Sequence, residues 1–142
     1  MNNHLRTPED YELFIYSLLE LYPNLKQSTL TFVRIGATMA RVSGELFFDH
    51  GFRLAVRERL IFDRLPVVLD TYSYEIWKND EKLAWYDPQP HPDDPNLKAT
   101  YPHHKHVQPN IKHNRIPSPG ISFTNPNLPQ LIEEISRLSK PQ

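Results

Sequence analysis

A chain of 142 residues with a formal net charge of −1 suits one core of ordinary size, and it has no overall field of either sign to draw in nucleic acid or membrane. The absence of cysteine excludes a disulfide framework, thiol catalysis and thiolate metal sites. No run approaches the roughly 18 apolar residues of a membrane span, and the first ten residues are polar rather than leader-like, so a cytoplasmic protein with no membrane partner is expected.

Residues 7–22 read as a helix. Thr7 can cap it, Pro8 suits its first position, and Glu9, Asp10 and Glu12 favour the positive end of its dipole. Tyr11, Phe14, Ile15, Leu18, Leu19 and Tyr22 give it one apolar face, which Pro23 and Asn24 end. From Ser28 to Asp87, β-branched and aromatic residues alternate with short turns, predicting strands near 28–35, 37–48, 52–64, 67–78 and 83–87. The turns at Asp49-His50-Gly51, Leu65-Pro66 and Lys78 to Glu81 are short enough to join antiparallel neighbours, so the strand order is a meander. Around Gly36 the chain is either one bent strand or two.

Beyond Asp87 the composition changes. Ten of the 14 prolines fall between Pro88 and Pro129, and five of the seven histidines between His91 and His113. Four prolines within eight residues forbid a central strand, so 88–101 is expected as an ordered surface loop or a lid within a Pro/His-rich segment, 88–126. A short strand is expected at His103 to Val107. A closing helix follows at 127–139, capped by Asn127 and burying Leu128, Leu131, Ile132, Ile135 and Leu138. The reading is a single α+β domain over 1–142: a twisted antiparallel sheet of five to six strands packed by an N-terminal and a C-terminal helix.

Several residues invite a chemical reading. Alternation in 52–64 sets Glu58 amid Leu54, Val56, Leu60 and Phe62 on the apolar face, where a carboxylate needs a partner or a pocket. Arg53, Arg57 and Arg59, joined by Arg34, Arg41 and Arg64, form a basic stripe that is either a solvated face or a phosphate-binding one. Tyr72 and Tyr74 share a side and either pack or meet a ligand. From Lys98 to Arg115 there are four Lys or Arg, four His and no acid. If 103–107 is extended, His104 and His106 project from one face and His103 and Lys105 from the other, so two imidazoles can converge. Three uses for that pair stay open. One is acid/base cleavage of RNA, in which the 2′-hydroxyl loses a proton and the departing 5′-oxygen gains one. Another is a metal triad completed by Asp87, Asp93 or Glu58. The third is packing or partner contact in a histidine-rich loop.

Taken in order, Glu58, Tyr72-Ser73-Tyr74, Trp85-Tyr86-Asp87, Pro90-His91 and Pro102-His103-His104-Lys105-His106 resemble the small TumE-type toxins of bacterial toxin–antitoxin pairs. The last run is the most specific, and the similarity extends from about Leu46 to the closing helix. The chain departs from the family pattern at Trp85, where an arginine is usual, and at Pro92, where a second histidine is usual. The resemblance implies a toxin encoded beside an antitoxin with a DNA-binding domain and, by analogy, an attack on RNA or translation. The residues add the chemistry: metal-independent cleavage with no cofactor, in which His104 and His106 share proton transfer with His103 and Tyr74 nearby. Glu58 orients a histidine or tyrosine, and Lys105, Lys112, Arg115, Arg57 and His91 hold phosphate. The alternatives are a non-catalytic domain that docks an antitoxin or regulator, and a histidine-ligated metalloenzyme. Whether the chain forms a homodimer or a hetero-oligomer stays open.

Overall fold

The computed structural model describes residues 3–140. Its elements are α1 (Pro8–Tyr16), α2 (Leu18–Leu21), β1 (Gln27–Ser28), β2 (Thr31–Ile35), β3 (Met39–Phe47), β4 (Phe52–Ile61), β5 (Val68–Lys78), β6 (Glu81–Asp87), β7 (His104–Val107), β8 (Arg115–Pro117) and α3 (Leu128–Leu138), with short 3-10 turns at Asp49–Gly51 and Pro95–Thr100. The sheet is antiparallel throughout in the order β1-β3-β4-β5-β6-β7-β8, with β2 also paired to β3. The α+β class and the antiparallel meander agree with the sequence. The strand count does not: eight strands replace five to six.

Two causes account for the extra strands. The first edge is one strand in sequence but two in hydrogen bonding, because Thr29 and Leu30 leave the ladder opposite Gly44. There Thr29 donates to Glu45 O (2.9 Å), and Glu45 N–H donates to Thr29 Oγ1 (2.8 Å). Gly44 has φ +137°, and a Cβ on it would lie 2.5 Å from the Thr29 carbonyl oxygen, so the fold requires glycine there. The second cause is β8, three residues ending in proline, which no periodicity reveals. The turn after β5 is also tighter than expected: Asn79-Asp80 alone makes it, with Asn79 at φ 52°, and β6 begins at Glu81.

The predicted helix over 7–22 starts as read, with Thr7 Oγ1 accepting from Asp10 N–H at 3.0 Å. It breaks at Ser17, whose hydroxyl donates to Leu13 O (2.6 Å), leaving α1 and the single turn α2. Leu19, expected inside, is exposed beyond that break. α1 lays Tyr11, Phe14 and Ile15 on the sheet, α2 adds Leu18, and α3 lays Leu128, Leu131, Ile132 and Ile135 beside them, while Leu138 at the end of α3 is exposed rather than buried. Each of these buried side chains contributes about 1.5–3 kcal/mol through apolar area removed from water. Both helices cover the same face. Asn127 does not cap α3 through its side chain; the amide instead accepts from Ser122 N–H (2.9 Å) and donates to the Tyr74 hydroxyl (3.1 Å).

Among the described residues no α-helix lies on the other face of the sheet. The Pro/His-rich chain from 88 to 101 is an ordered loop built on the Pro95–Thr100 turn and anchored by buried Leu97. His91 within it packs edge-on against His104 (4.9 Å between centroids) at the β6–β8 end. No described helix is long and apolar enough to cross a membrane.

Candidate functional site

Directly paired residues of an antiparallel ladder project to the same side, and neighbours along a strand to opposite sides. The register pairs Glu58 with Tyr72, Val56 with Tyr74, Tyr74 with Tyr86 and Tyr86 with Lys105. That set faces the helices. Arg57 pairs with Ser73, Glu75 with Trp85, Trp85 with His106, Asp87 with His104, and His106 with Arg115. That set faces away from them. The residues expected at one site are therefore divided between the two faces, and Glu58 does not meet His104 or His106.

On the helix side, Glu58 is 2% exposed and accepts from two phenols, Tyr11 of α1 (2.6 Å) and Tyr74 of β5 (2.5 Å). Burial pushes the carboxyl above its usual range, and the two hydrogen bonds offset only part of that. Burial, followed by the neighbouring carboxylate, pushes both phenols up as well. This network ties α1, β4, β5 and the start of α3 together, with Asn127 as its outer member. It joins Glu58 to tyrosines, one of the two partners foreseen, but Tyr74 is wholly enclosed there. Lys105, expected on phosphate, is held by Glu134 of α3 (2.8 Å), which also accepts from the Tyr86 hydroxyl. His103 stacks on Tyr72, hydrogen-bonds to its hydroxyl, and leans on Phe123.

On the helix-free side, Asp87, His104 and His106 converge. The ring of His104 is 1% exposed, that of His106 5% and Asp87 6%. His104 Nε2 lies 2.9 Å from Asp87 Oδ1 and 3.1 Å from His106 Nε2, and His106 Nε2 lies 3.4 Å from Asp87 Oδ2. His104 Nδ1 faces Pro102 O at 3.2 Å and His106 Nδ1 faces Ile111 O at 2.8 Å. Gln89 N–H donates to Asp87 Oδ1 (3.0 Å), and the indole of Trp85 stacks on His106 at 4.5 Å. Arg115 Nη1 lies 2.7–2.8 Å from the ring nitrogens of His91, while its Nε is buried with no hydrogen-bond partner among the described residues. Asp87 was foreseen only as one of three candidate carboxylates, and alternation along Trp85-Tyr86-Asp87 is the signal that would have singled it out.

Toward β3 and β4 a depression of about 550 Å³ is lined by Arg41, Ser43, Arg57, Arg59, Thr71 and Ser73 together with Glu58 and Tyr72, and none of the three cluster residues borders it. Among the basic stripe, Arg53 is bound to Glu45, Arg59 to Asp70, and Arg34 to Glu9 and Glu12. Arg41 and Arg57 are exposed and have no carboxylate partner among the described residues. Lys112 is exposed in the turn between β7 and β8. A hollow of similar size, lined by His4, Arg6, Asp10 and Leu13, lies at α1 away from the cluster and gathers no comparable set of polar groups.

The fold and site define an α+β protein whose open antiparallel sheet keeps a carboxylate under its helices and a buried histidine–aspartate cluster on its helix-free face, beneath the Pro/His-rich segment. The family model described as Toxin TumE matches residues 15–139, most of the chain, and the chain belongs to that family. Searches of curated proteins and of solved structures return no match.

Proposed function

We propose that this chain is the toxin of a toxin–antitoxin pair and that it acts on RNA in the cytoplasm, cleaving phosphodiester bonds at the helix-free face of the sheet. The observation that carries the reading is the shared orientation of Arg57 and of Asp87, His104 and His106: a cationic strip and a titratable cluster on one face, with the strand of Arg57 about 10 Å from that of Asp87 and about 14 Å from that of the histidines at the usual strand spacing. Guanidinium groups without carboxylate partners suit phosphate oxygens, and Arg41, Arg57 and Arg115 supply them, with Lys112 and His91 at the margin. The nucleophile is the 2′-hydroxyl of the RNA itself. Its oxygen bonds to phosphorus, its proton leaves to the cluster, the phosphorus–oxygen bond to the 5′-oxygen breaks, and a proton returns to that oxygen. A 2′,3′-cyclic phosphate and a 5′-hydroxyl result. The antitoxin, a partner with a DNA-binding domain, silences the toxin by association.

Induced expression in a bacterial host tests this reading. The wild-type chain arrests growth and shortens cellular RNA, whereas His104→Ala/His106→Ala and Arg41→Ala/Arg57→Ala restore growth while still melting cooperatively. Intact RNA in arrested cells, or arrest by the histidine double variant, contradicts it; the first result points to a domain that acts by docking a partner.

A further inference from the structure

The buried cluster on the helix-free face has an imbalance of donors and acceptors. Pro102 O and Ile111 O can only accept, so His104 Nδ1 and His106 Nδ1 both carry hydrogen. In the neutral rings both Nε2 atoms are then bare lone pairs, and they point at each other and at a carboxylate, three acceptor groups with no donor between them. Side chains this buried leave such a meeting repulsive until a cation fills it, either a second proton on one ring or a metal ion held by all three groups.

We propose that Asp87, His104 and His106 form a binding site for one divalent transition-metal ion of the zinc, iron(II) or nickel kind. The proposal rests on the RNA reading for its use but not for its existence. The three ligand groups offer atoms that all lie within 4.8 Å of one another. Their closest separations, 2.9, 3.1 and 3.4 Å, are near the edges of a coordination polyhedron, which for bonds of about 2.0–2.1 Å run roughly 2.9–3.4 Å. Each ligand also has a second partner of the type metal sites employ: an Nδ1–H to backbone carbonyl contact for each histidine, and the Gln89 amide on the carboxylate. Two imidazoles and one carboxylate favour borderline transition ions over magnesium or calcium, which prefer oxygen ligands. Three protein ligands leave room for water or a phosphate oxygen on the metal. His91 stays outside the set because its ring nitrogens face Arg115. In RNA cleavage a hydroxide held by these three ligands through the ion would take the 2′-hydroxyl proton, and the water so formed would return a proton to the departing 5′-oxygen, in place of the imidazoles of the metal-free expectation.

The test uses purified, chelator-treated full chain titrated with Zn²⁺ alone, followed by calorimetry and thermal melting. One Zn²⁺ per chain and a melting point that rises with Zn²⁺ concentration are expected, with no rise for Mg²⁺ at equal concentration. His103→Ala, on the opposite face, keeps both effects. Asp87→Asn separates binding from folding: its amide can donate to the His104 lone pair, so the metal-free variant melts at or above wild type while the Zn²⁺ shift disappears. Absence of Zn²⁺ binding by wild type, or equal binding by Asp87→Asn and His104→Ala/His106→Ala, overturns the metal site. RNA cleavage that persists in chelator overturns the metal's part in the reaction and leaves the RNA reading standing. Stoichiometric Zn²⁺ with RNA left intact supports the site and contradicts the RNA reading.

Discussion

Glu58 shows what one misplaced polarity does. The apolar alternation of β4 identifies it as an acid on the wrong face, and the structure supplies the reason, two phenols that donate to it from α1 and β5. Glu58→Ala removes the acceptor from both, leaving two buried O–H donors without a partner, although Tyr74 still accepts from Asn127, at a cost of about 2–4 kcal/mol, readable by urea unfolding. The pH dependence has a definite sign. Burial raises the folded-state value, so the folded protein holds this proton more tightly than the unfolded chain does, and the contribution to stability falls as pH rises from the usual 4.5 through the raised value. The stability difference between wild type and Glu58→Gln therefore shrinks or reverses over that interval and is flat above it; a difference independent of pH contradicts the assignment. Glu58 itself was legible in sequence, but its partners were not. Tyr11 sits in an apolar stripe, and periodicity reports where a ring lies, not what its hydroxyl touches.

Among elements, β7 divides two functions between alternate residues. His104 and His106 enter the cluster, while Lys105 crosses to the helices and closes an ion pair with Glu134. Lys105→Met accordingly costs roughly 1 kcal/mol of folding stability and leaves growth arrest intact, which a melt and an induction assay check together. Loss of arrest at unchanged stability would instead place this lysine on substrate. The alternation of His103 to Val107 was readable from sequence, as was the bar on a central strand after Asp87, since both follow from single-residue geometry. The break in the first helix and the strand β8 were not, because one rests on the Ser17 hydroxyl reaching Leu13 O and the other on three residues, too few to alternate, that pair back onto β7.

For the whole molecule, the decisive feature is the division of labour between faces. Sequence reasoning placed the important residues on the right strands and then drew them to a common centre. Register across four strands decides the outcome, and it depends on the tight Asn79-Asp80 turn and on the long Pro/His loop, neither of which fixes pairing by composition. The result is a sheet whose one side is covered by helices and whose other side carries Arg41 and Arg57 exposed, with Asp87, His104 and His106 buried beneath the Pro/His-rich segment and Arg115 beside them. The most direct test is an amide chemical-shift map of the ¹⁵N-labelled protein titrated with a 2′-O-methyl RNA oligonucleotide, which binds but cannot undergo attack by its own 2′-hydroxyl. Shifts concentrated at 41, 57, 71–73, 85–91, 104–106 and 112–115, with α1 and α3 unmoved, are expected. Shifts centred on the two helices, or no shifts at all, contradict the account.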